Sequence, residues 1–466
     1  MKNVTIMGAG YVGLPTAAHW ASQHNVTVYD PFNDKIKCVK GTIEGKNDNY
    51  IHEKGLDEKL RNNKSRLIFT SSLENALENP DFVFIAVGTP PNNKGRADLS
   101  YVAQAASDIG KVINKDCIVV NKSTVPPGTA YLVEEKINDE LKKRGEQYNI
   151  SVGSCPEFMA EGTAMENLRT PDRIVFGCDN PKALDALTNF FLYQHDRSRL
   201  VPMRTVSSEL TKYAANSMLA SRLSFMNELS ILCDEIGADV KEIERGIGLD
   251  SRIGKKFLKA GFGYGGSCFG KDTMAISQFG RLSGVDLGVI NAAIKANGDV
   301  VDHFFQKIRQ HYAGNLSGRN LAIWGVGFKA GTDDLRDSRS VELVKRLERD
   351  GANLVVYDPV PMALTNFNQL GLANCVTCNE QYDTALEKID GIVIGNEAMS
   401  FRDPDISKLT VMRNKVIFDG KNCVVEPALN DLRENGFIYK SMGKDIMAAC
   451  VDKNKLVRFL EEEYMS

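Results

Sequence analysis

The 466-residue sequence predicts an α/β protein in which two doubly wound parallel sheets are joined by a helical middle domain with a long connecting helix. Three observations carry that prediction. Short apolar strands alternate with helical stretches up to about residue 200. A strandless run of helical period then follows. From residue 320 the strand and turn signals return, and the opening words TIMGAGYVG and VTVYDP are echoed by AIWGVGFKAG and LVVYDP. The boundaries implied are 1–204, 205–310 and 311–466, in keeping with a chain too long for a single hydrophobic core.

The first domain opens with a strand at 3–8, a helical stretch at 14–22 and a second strand at 26–29. Between strand and helix, Gly8, Gly10 and Gly13 fit G-x-G-x-x-G, which lets backbone amides at a helix N-terminus receive a pyrophosphate. Asp30 ends the second strand, where a carboxylate meets ribose hydroxyls and repels an added phosphate, so NAD is expected over NADP. Tight turns with no ligand are the bland reading of the glycines alone. With Asp30 the domain is Rossmann-like, and further strands at 82–87, 117–121 and 151–155 extend its sheet.

Helical periodicity fills 209–236 and 285–311 in the middle domain. The last domain places strands near 321, at 354–359, at 391–396 and at 416–422. Its glycine turn, Gly325, Gly327 and Gly331, departs from the fingerprint, and Asp358 comes later than the spacing wants. A second NAD is therefore not expected. Lys329 and Arg336, in or just after this turn, offer two cations to a phosphate of another ligand, or are simply solvated loop charges.

The composition is 43% hydrophobic and 25% charged, that of a chain able to bury sizeable cores. A net charge of −3 removes the argument for a nucleic-acid binder. No run of about twenty apolar residues offers a membrane span. The amino terminus reads as a mature start without a leader, and ten scattered cysteines read as reduced thiols, so a cytoplasmic location is expected.

The stretch most suggestive of chemistry is GFGYGGSCFGKD at 261–272. Glycines permit close ligand approach, and a cation near a thiol favours the nucleophilic thiolate, so Cys268 is a candidate nucleophile. On spacing alone, a buried inert cysteine is the commoner use of such a residue. Lys212 and Asn216, four apart, share one helix face and could point into one cleft, although paired surface polar residues at this spacing are frequent. The loop SCPEFMAEG supplies Glu157 and Glu161, and NKSTVPPGT supplies Ser123 and Thr124.

Taken together these segments resemble the UDP-glucose/GDP-mannose dehydrogenase family nearly end to end. The matching runs are GAGYVGL at 8–14, KSTVPPGT at 122–129, PEFMAEGTA at 156–164, KYAAN at 212–216, SRIGKKFLKAGFGYGGSCFGKD at 251–272 and GVGFKAGTDDLRDS at 325–338. The resemblance implies a two-step oxidation of the primary alcohol of a UDP-hexose, UDP-glucose first, that uses two NAD molecules in turn. The route it implies runs from aldehyde to a thiohemiacetal and thioester on Cys268, then by hydrolysis to the acid. Lys212 and Asn216 would hold the oxyanion, Glu157 would assist proton transfer, and Asp272 with Thr124 would position water.

By the same resemblance, Tyr11, Val12, Lys35, Thr89, Thr124, Glu161, Lys271 and Arg336 join the glycines and Asp30 at the cofactor. Phe158, Met159, Glu161, Lys212, Asn216, Phe257, Lys259, Tyr264, Gly265, Lys329 and Lys421 surround the sugar nucleotide. Arg252 would reach that substrate from a partner subunit, which implies a homodimer. Lys35 and Lys421 stand where many relatives carry arginine, and each exchanges a planar fork for a point charge.

A GDP-mannose-oxidising enzyme is the runner-up, and a catalytically idle binder of sugar nucleotides the alternative of another class. No metal is expected: Cys375 and Cys378 lie on a strand-like stretch where their side chains diverge, and no two histidines stand four apart. The acidic run at 461–463 reads as a solvated helix end.

Overall fold

The computed structural model describes residues 1–47, 49–92, 95–382 and 386–446, together with Val457 and Leu460. The acidic run at 461–463 lies outside the described residues. The chain separates into two compact units, Met1–Ala215 and Asn216–Ser466, and the 32-residue helix Thr205–Ile236 runs through the junction.

The first unit is built on eight strands: β1 (Asn3–Met7), β2 (Asn25–Tyr29), β3 (Leu67–Thr70), β4 (Phe82–Ile85), β5 (Cys117–Asn121), β6 (Ile150–Ser154), β7 (Ile174–Cys178) and β8 (Leu200–Met203). They lie in the order β3-β2-β1-β4-β5-β6-β7-β8, whose first six places are those of a doubly wound dinucleotide-binding sheet. Alternate residues of β4 serve opposite layers: Phe82 and Phe84 pack with Trp20 and Phe190, whereas Val83 and Ile85 pack with Val102 and Val133. All four are buried, as expected of a central strand covered on both faces.

The second unit repeats the plan with β9 (Asn320–Trp324), β10 (Asn353–Tyr357), β11 (Cys375–Thr377), β12 (Gly391–Ile394), β13 (Val416–Asp419), β14 (Ile438–Ser441) and β15 (Lys444–Ile446). Their order, β11-β10-β9-β12-β13-β14-β15, runs outward from the first strand just as the other sheet does. Leu321 and Ile323 face one layer, and Ala322 and Trp324 the other. The helices Thr205–Ile236, Phe269–Leu282 and Gly288–His311 precede this sheet.

The sheets are not wholly parallel, which corrects the expectation. β7 runs antiparallel to β6 and β15 antiparallel to β14. A parallel return needs a full crossover, and the segment between β6 and β7 holds only the six-residue helix Ala164–Arg169. β14 and β15 are joined by the tight turn at Met442 and Gly443, which makes a hairpin. No helix among the described residues is long and apolar enough to cross a membrane.

Candidate active site

In the first unit, β1 ends in a turn that only glycine can make. Gly8 has φ +113°, and a Cβ there would lie 2.6 Å from the Ala86 carbonyl oxygen. A Cβ at Gly13 would lie 1.9 Å from the Gly8 carbonyl oxygen. Gly10 differs, since nothing stands within 4 Å of its would-be Cβ, so its backbone is open to a ligand. The helix Gly13–Trp20 starts at once behind Val12, which offers no side-chain cap, so the positive end of its dipole faces the turn at Gly10.

Asp30 is buried just past β2. Its Oδ2 accepts the Ala9 N–H at 3.0 Å, its Oδ1 accepts the Phe32 N–H at 3.0 Å, and Lys35 Nζ lies 3.5 Å from Oδ2. Tyr11 is exposed beside this turn. The open backbone at Gly10, the uncapped helix and the carboxylate at the strand end fit a dinucleotide pyrophosphate and ribose.

Farther along the same sheet, Thr89 Oγ1 donates to the Thr124 carbonyl at 2.9 Å, and Ser123 Oγ donates to the Val87 carbonyl at 2.7 Å. Glu157 forms an ion pair with buried Lys122, and its Oε1 accepts the N–H groups of Phe158 and Met159 at 2.7 and 3.0 Å. Burial alone would lower the Lys122 ammonium, but the adjacent Glu157 carboxylate outweighs it and holds the group above its ordinary range. Two cations lie over the Phe158 ring, Arg173 at 3.9 Å and Lys212 at 5.2 Å from its centre. Glu161 is half-buried in the same loop. Lys122 escaped the sequence reading because its partner lies on another strand-end loop.

Two further carboxylates were not foreseen. Glu53 accepts the N–H groups of Gly162 and Ala164, and Glu209 those of Gly128 and Ala130. Each is buried and each grips the start of a helix that follows a strand-end loop. The partners stand 79 or more residues away, so no local pattern announces them.

In the second unit, Cys268 is the N-cap of the helix Phe269–Leu282, an exposed free thiol 3.8 Å from Ser267 Oγ. An anionic sulfur there would lie at the positive end of the helix dipole. One turn on, buried Asp272 accepts from Asn216 Nδ2 and from Lys271 Nζ, each at 2.6 Å. Lys212 and Asn216, both buried, are one turn apart on Thr205–Ile236.

The thiol loop is fastened through its backbone. Gly261 N–H donates to Asn227 Oδ1, Phe262 N–H to the Gly420 carbonyl, Tyr264 N–H to Asn297 Oδ1 and Gly266 N–H to the Arg336 carbonyl, at 2.8 to 3.1 Å. A Cβ at Gly265 would lie 2.2 Å from the Asp337 carbonyl oxygen, and one at Gly266 2.5 Å from the Phe328 ring. Glycine is the residue that lets the two loops meet. Phe269 has Phe257 against one edge at 6.1 Å and Tyr264 at 5.6 Å, and Phe257 itself holds φ +60°, unusual for an aromatic residue.

Among the cations expected at the sugar nucleotide, Lys421 donates to the Gly263 carbonyl at 3.2 Å, and burial lowers its ammonium below the usual lysine range. Lys259 and Arg252 are exposed, with Arg252 clasping Asp250 of its own chain at 2.6 Å. Lys329 lies 5.3 Å over the Phe328 ring, and exposed Arg336 is held by Asp334.

Asp358 accepts the N–H groups of Val326 and Gly327 at 2.9 and 3.1 Å, the place Asp30 takes in the first sheet. The late spacing arises because Gly325 is followed by a loop, and the next helix, Arg339–Arg349, starts only after Ser338. No helix N-terminus stands at this turn, and a Cβ at Gly325 would meet the Asn396 side chain at 2.4 Å. Cys375 and Cys378 lie on and just past β11, and no group of three metal-ligating side chains occurs among the described residues.

A glycine turn of this kind on one sheet, with a second doubly wound sheet behind an exposed helix-capping thiol, defines an NAD-dependent dehydrogenase. Three sequence models match in register: the NAD binding domain of the UDP-glucose/GDP-mannose dehydrogenase family at residues 2–195, its central domain at 206–299 and its UDP binding domain at 322–426. The chain belongs to the UDP-glucose/GDP-mannose dehydrogenase family. It is 38% identical to UDP-glucose 6-dehydrogenase of Pseudomonas aeruginosa over 96% of this chain and 98% of that one. It is 35% identical to UDP-glucose 6-dehydrogenase TuaD of Bacillus subtilis, covering 95% and 94%. Among solved structures, a UDP-glucose dehydrogenase from the archaeon Pyrobaculum islandicum superposes with TM-score 0.84 at 34% identity, covering 95% and 98%.

Proposed function

We propose that this enzyme oxidises C6 of UDP-glucose to the carboxylate, consuming two NAD and one water and releasing UDP-glucuronate, two NADH and three protons. The observation that carries the reading is Cys268, an exposed thiol at a helix N-terminus one turn before the Asp272–Asn216 pair. When bound, NAD accepts hydride. Gly8, Gly10, Gly13 and Asp30 would hold it, with Tyr11, Val12, Lys35, Thr89, Glu161, Lys271 and Arg336 contributing, and Asp30 would favour NAD over NADP.

Cys268 Sγ adds to the aldehyde carbon as the carbonyl oxygen takes up negative charge. Lys212 and Asn216 stabilise that oxyanion with an ammonium and an amide N–H. Loss of a second hydride leaves the thioester. Water held by Asp272 and Thr124 then cleaves it, restoring the thiol, while Glu157 assists proton transfer at the first step. The UDP half is held by Phe257, Lys259, Lys329 and Lys421, and the sugar by Phe158, Met159, Tyr264 and Gly265.

The enzyme acts as a homodimer in the cytoplasm. Met218, Phe225 and Leu232, exposed at seven-residue intervals on one helix, support self-association, and the exposed Arg252 is free to serve a partner's substrate once Asp250 releases it. None of the nine described cysteines is joined to another by a disulfide, which supports a reducing compartment.

The test is NADH production from UDP-glucose, UDP-galactose, UDP-N-acetylglucosamine and GDP-mannose. UDP-glucose should give two NADH per sugar with the highest kcat/KM. A preference for GDP-mannose, or one NADH per sugar, would overturn the proposal.

A further inference from the structure

Glu209 belongs to no part of the reaction described above, yet it is a buried carboxylate whose two oxygens both do work. Oε2 accepts the Gly128 N–H at 2.6 Å and Oε1 the Ala130 N–H at 2.8 Å, at the start of the helix Thr129–Arg144. The loop ahead of that helix, residues 122–128, carries Thr124. It is pinned at its near end by Ser123 on the Val87 carbonyl and by Thr89 on the Thr124 carbonyl. In between, Pro126 and Pro127 have no N–H to offer, so the far end is fastened by the amides that Glu209 takes, together with Thr129, whose N–H and hydroxyl donate to the Pro126 carbonyl at 3.2 and 2.6 Å.

We propose that Glu209 is a positioning residue for Thr124: by gripping Gly128 and Ala130 from the helix that carries Lys212 three residues on, it fixes the loop that presents the Thr124 hydroxyl. This rests on the reading of Thr124 given under Proposed function. Glu209 acts through the loop and touches no reacting atom.

The grip depends on charge. An ionised carboxylate accepts from both amides, whereas a protonated one turns one oxygen into a donor and loosens one end of the pair. Burial raises Glu209 to about 7 against the downward pull of the Gly128 and Ala130 amides. The charged and titratable groups facing it are Asp179, whose negative charge also raises it, and Tyr131, which donates to Asp179; Arg204 lies near Asp179. Thr124 is therefore best held above neutrality.

The experiment compares the full-length wild-type enzyme with Glu209→Gln and Glu209→Asp. Glutamine offers one acceptor where two are needed, and aspartate keeps the charge but falls one methylene short. Hydrogen exchange of the peptide spanning residues 125–132 should speed up roughly tenfold or more in Glu209→Gln, while the rest of the first sheet keeps its protection. With UDP-glucose, kcat should fall roughly ten- to a hundredfold with KM for NAD little changed. The wild-type loss of kcat below about pH 7 should be missing from the Gln variant. Glu209→Asp should fall between the two and keep the pH limb. Unchanged exchange in both variants, or faster exchange with kcat within twofold of wild type across pH 6 to 9, would overturn the proposal. Exchange is read without substrate, so an enzyme that fails to oxidise UDP-glucose refutes the functional reading and leaves the anchoring to be decided by exchange alone.

Discussion

Asn216 Nδ2 donates to Asp272 Oδ2 at 2.6 Å, joining the long helix to the first turn of the helix that Cys268 caps. Asp272 is 1% exposed and its other oxygen takes Lys271 Nζ, so both oxygens are committed to donors. Replacing one oxygen by an amide nitrogen sets donor against donor. Asp272→Asn should cost about 1–3 kcal/mol of stability in urea unfolding, and should lower kcat by roughly a hundredfold or more. Wild-type values for both would remove Asp272 from the site.

Cys268→Ser should still bind NAD and UDP-glucose, seen by calorimetry, but should not turn UDP-glucose over to the acid, because a hydroxyl is a poor nucleophile and leaving group beside a thiol. Full steady-state production of uronate by this variant would falsify the covalent route.

The first glycine turn allows a contrast between two alanines. Gly10→Ala meets open space, so its unfolding midpoint should stay near wild type while NAD affinity drops roughly tenfold or more, about 1.4 kcal/mol. Gly13→Ala drives a methyl into the Gly8 carbonyl and should lose stability as well as binding. If titration and unfolding show equal losses for the two, Gly10 has no special exposure to the cofactor.

Burial lowers His19 and His24 from about 6.5 to about 4, helped by neighbouring positive charge. The unfolded chain binds those protons more readily than the folded one, so the stability they contribute is complete above about pH 6.5 and drains away as pH falls toward 4. Each histidine accounts for up to about 3 kcal/mol over that window. Urea midpoints should fall between pH 7 and 5, and His24→Gln should flatten the slope. An unchanged slope would show that carboxylates, not these imidazoles, govern acid lability.

Arg252→Ala and Cys268→Ala, each inactive alone, should regain activity as mixed dimers if Arg252 serves the partner's substrate. Verified heterodimers without activity above the parents would place Arg252 in its own chain's site.

Much of this was legible in the sequence where backbone geometry dictates residue type. Gly8, Gly10 and Gly13 are fixed by positive φ, open access and close packing, and the strand Cys117–Asn121 fell where its apolar run ends. The strands Ile174–Cys178 and Leu200–Met203 were not singled out, the first being a short buried run and the second four residues at the sheet edge with Val201 exposed. Lys122, Glu53 and Glu209 act through partners brought near only by folding, and a sequence pattern holds no trace of that. The late spacing of Asp358 has a related cause, because spacing counts residues and a loop adds them without moving the strand end.

The thiol loop, tied at Gly261, Phe262, Tyr264 and Gly266 to side chains of two helices and to two strand-end loops, has little slack of its own. It cannot melt ahead of the sheet that anchors it. On heating, loss of turnover and loss of secondary structure should then coincide, and a thiol-modifying reagent should find Cys268 equally reactive at every temperature-corrected step below that transition. The second unit would lose its thiol loop only by unfolding itself, without first passing through a folded but idle form.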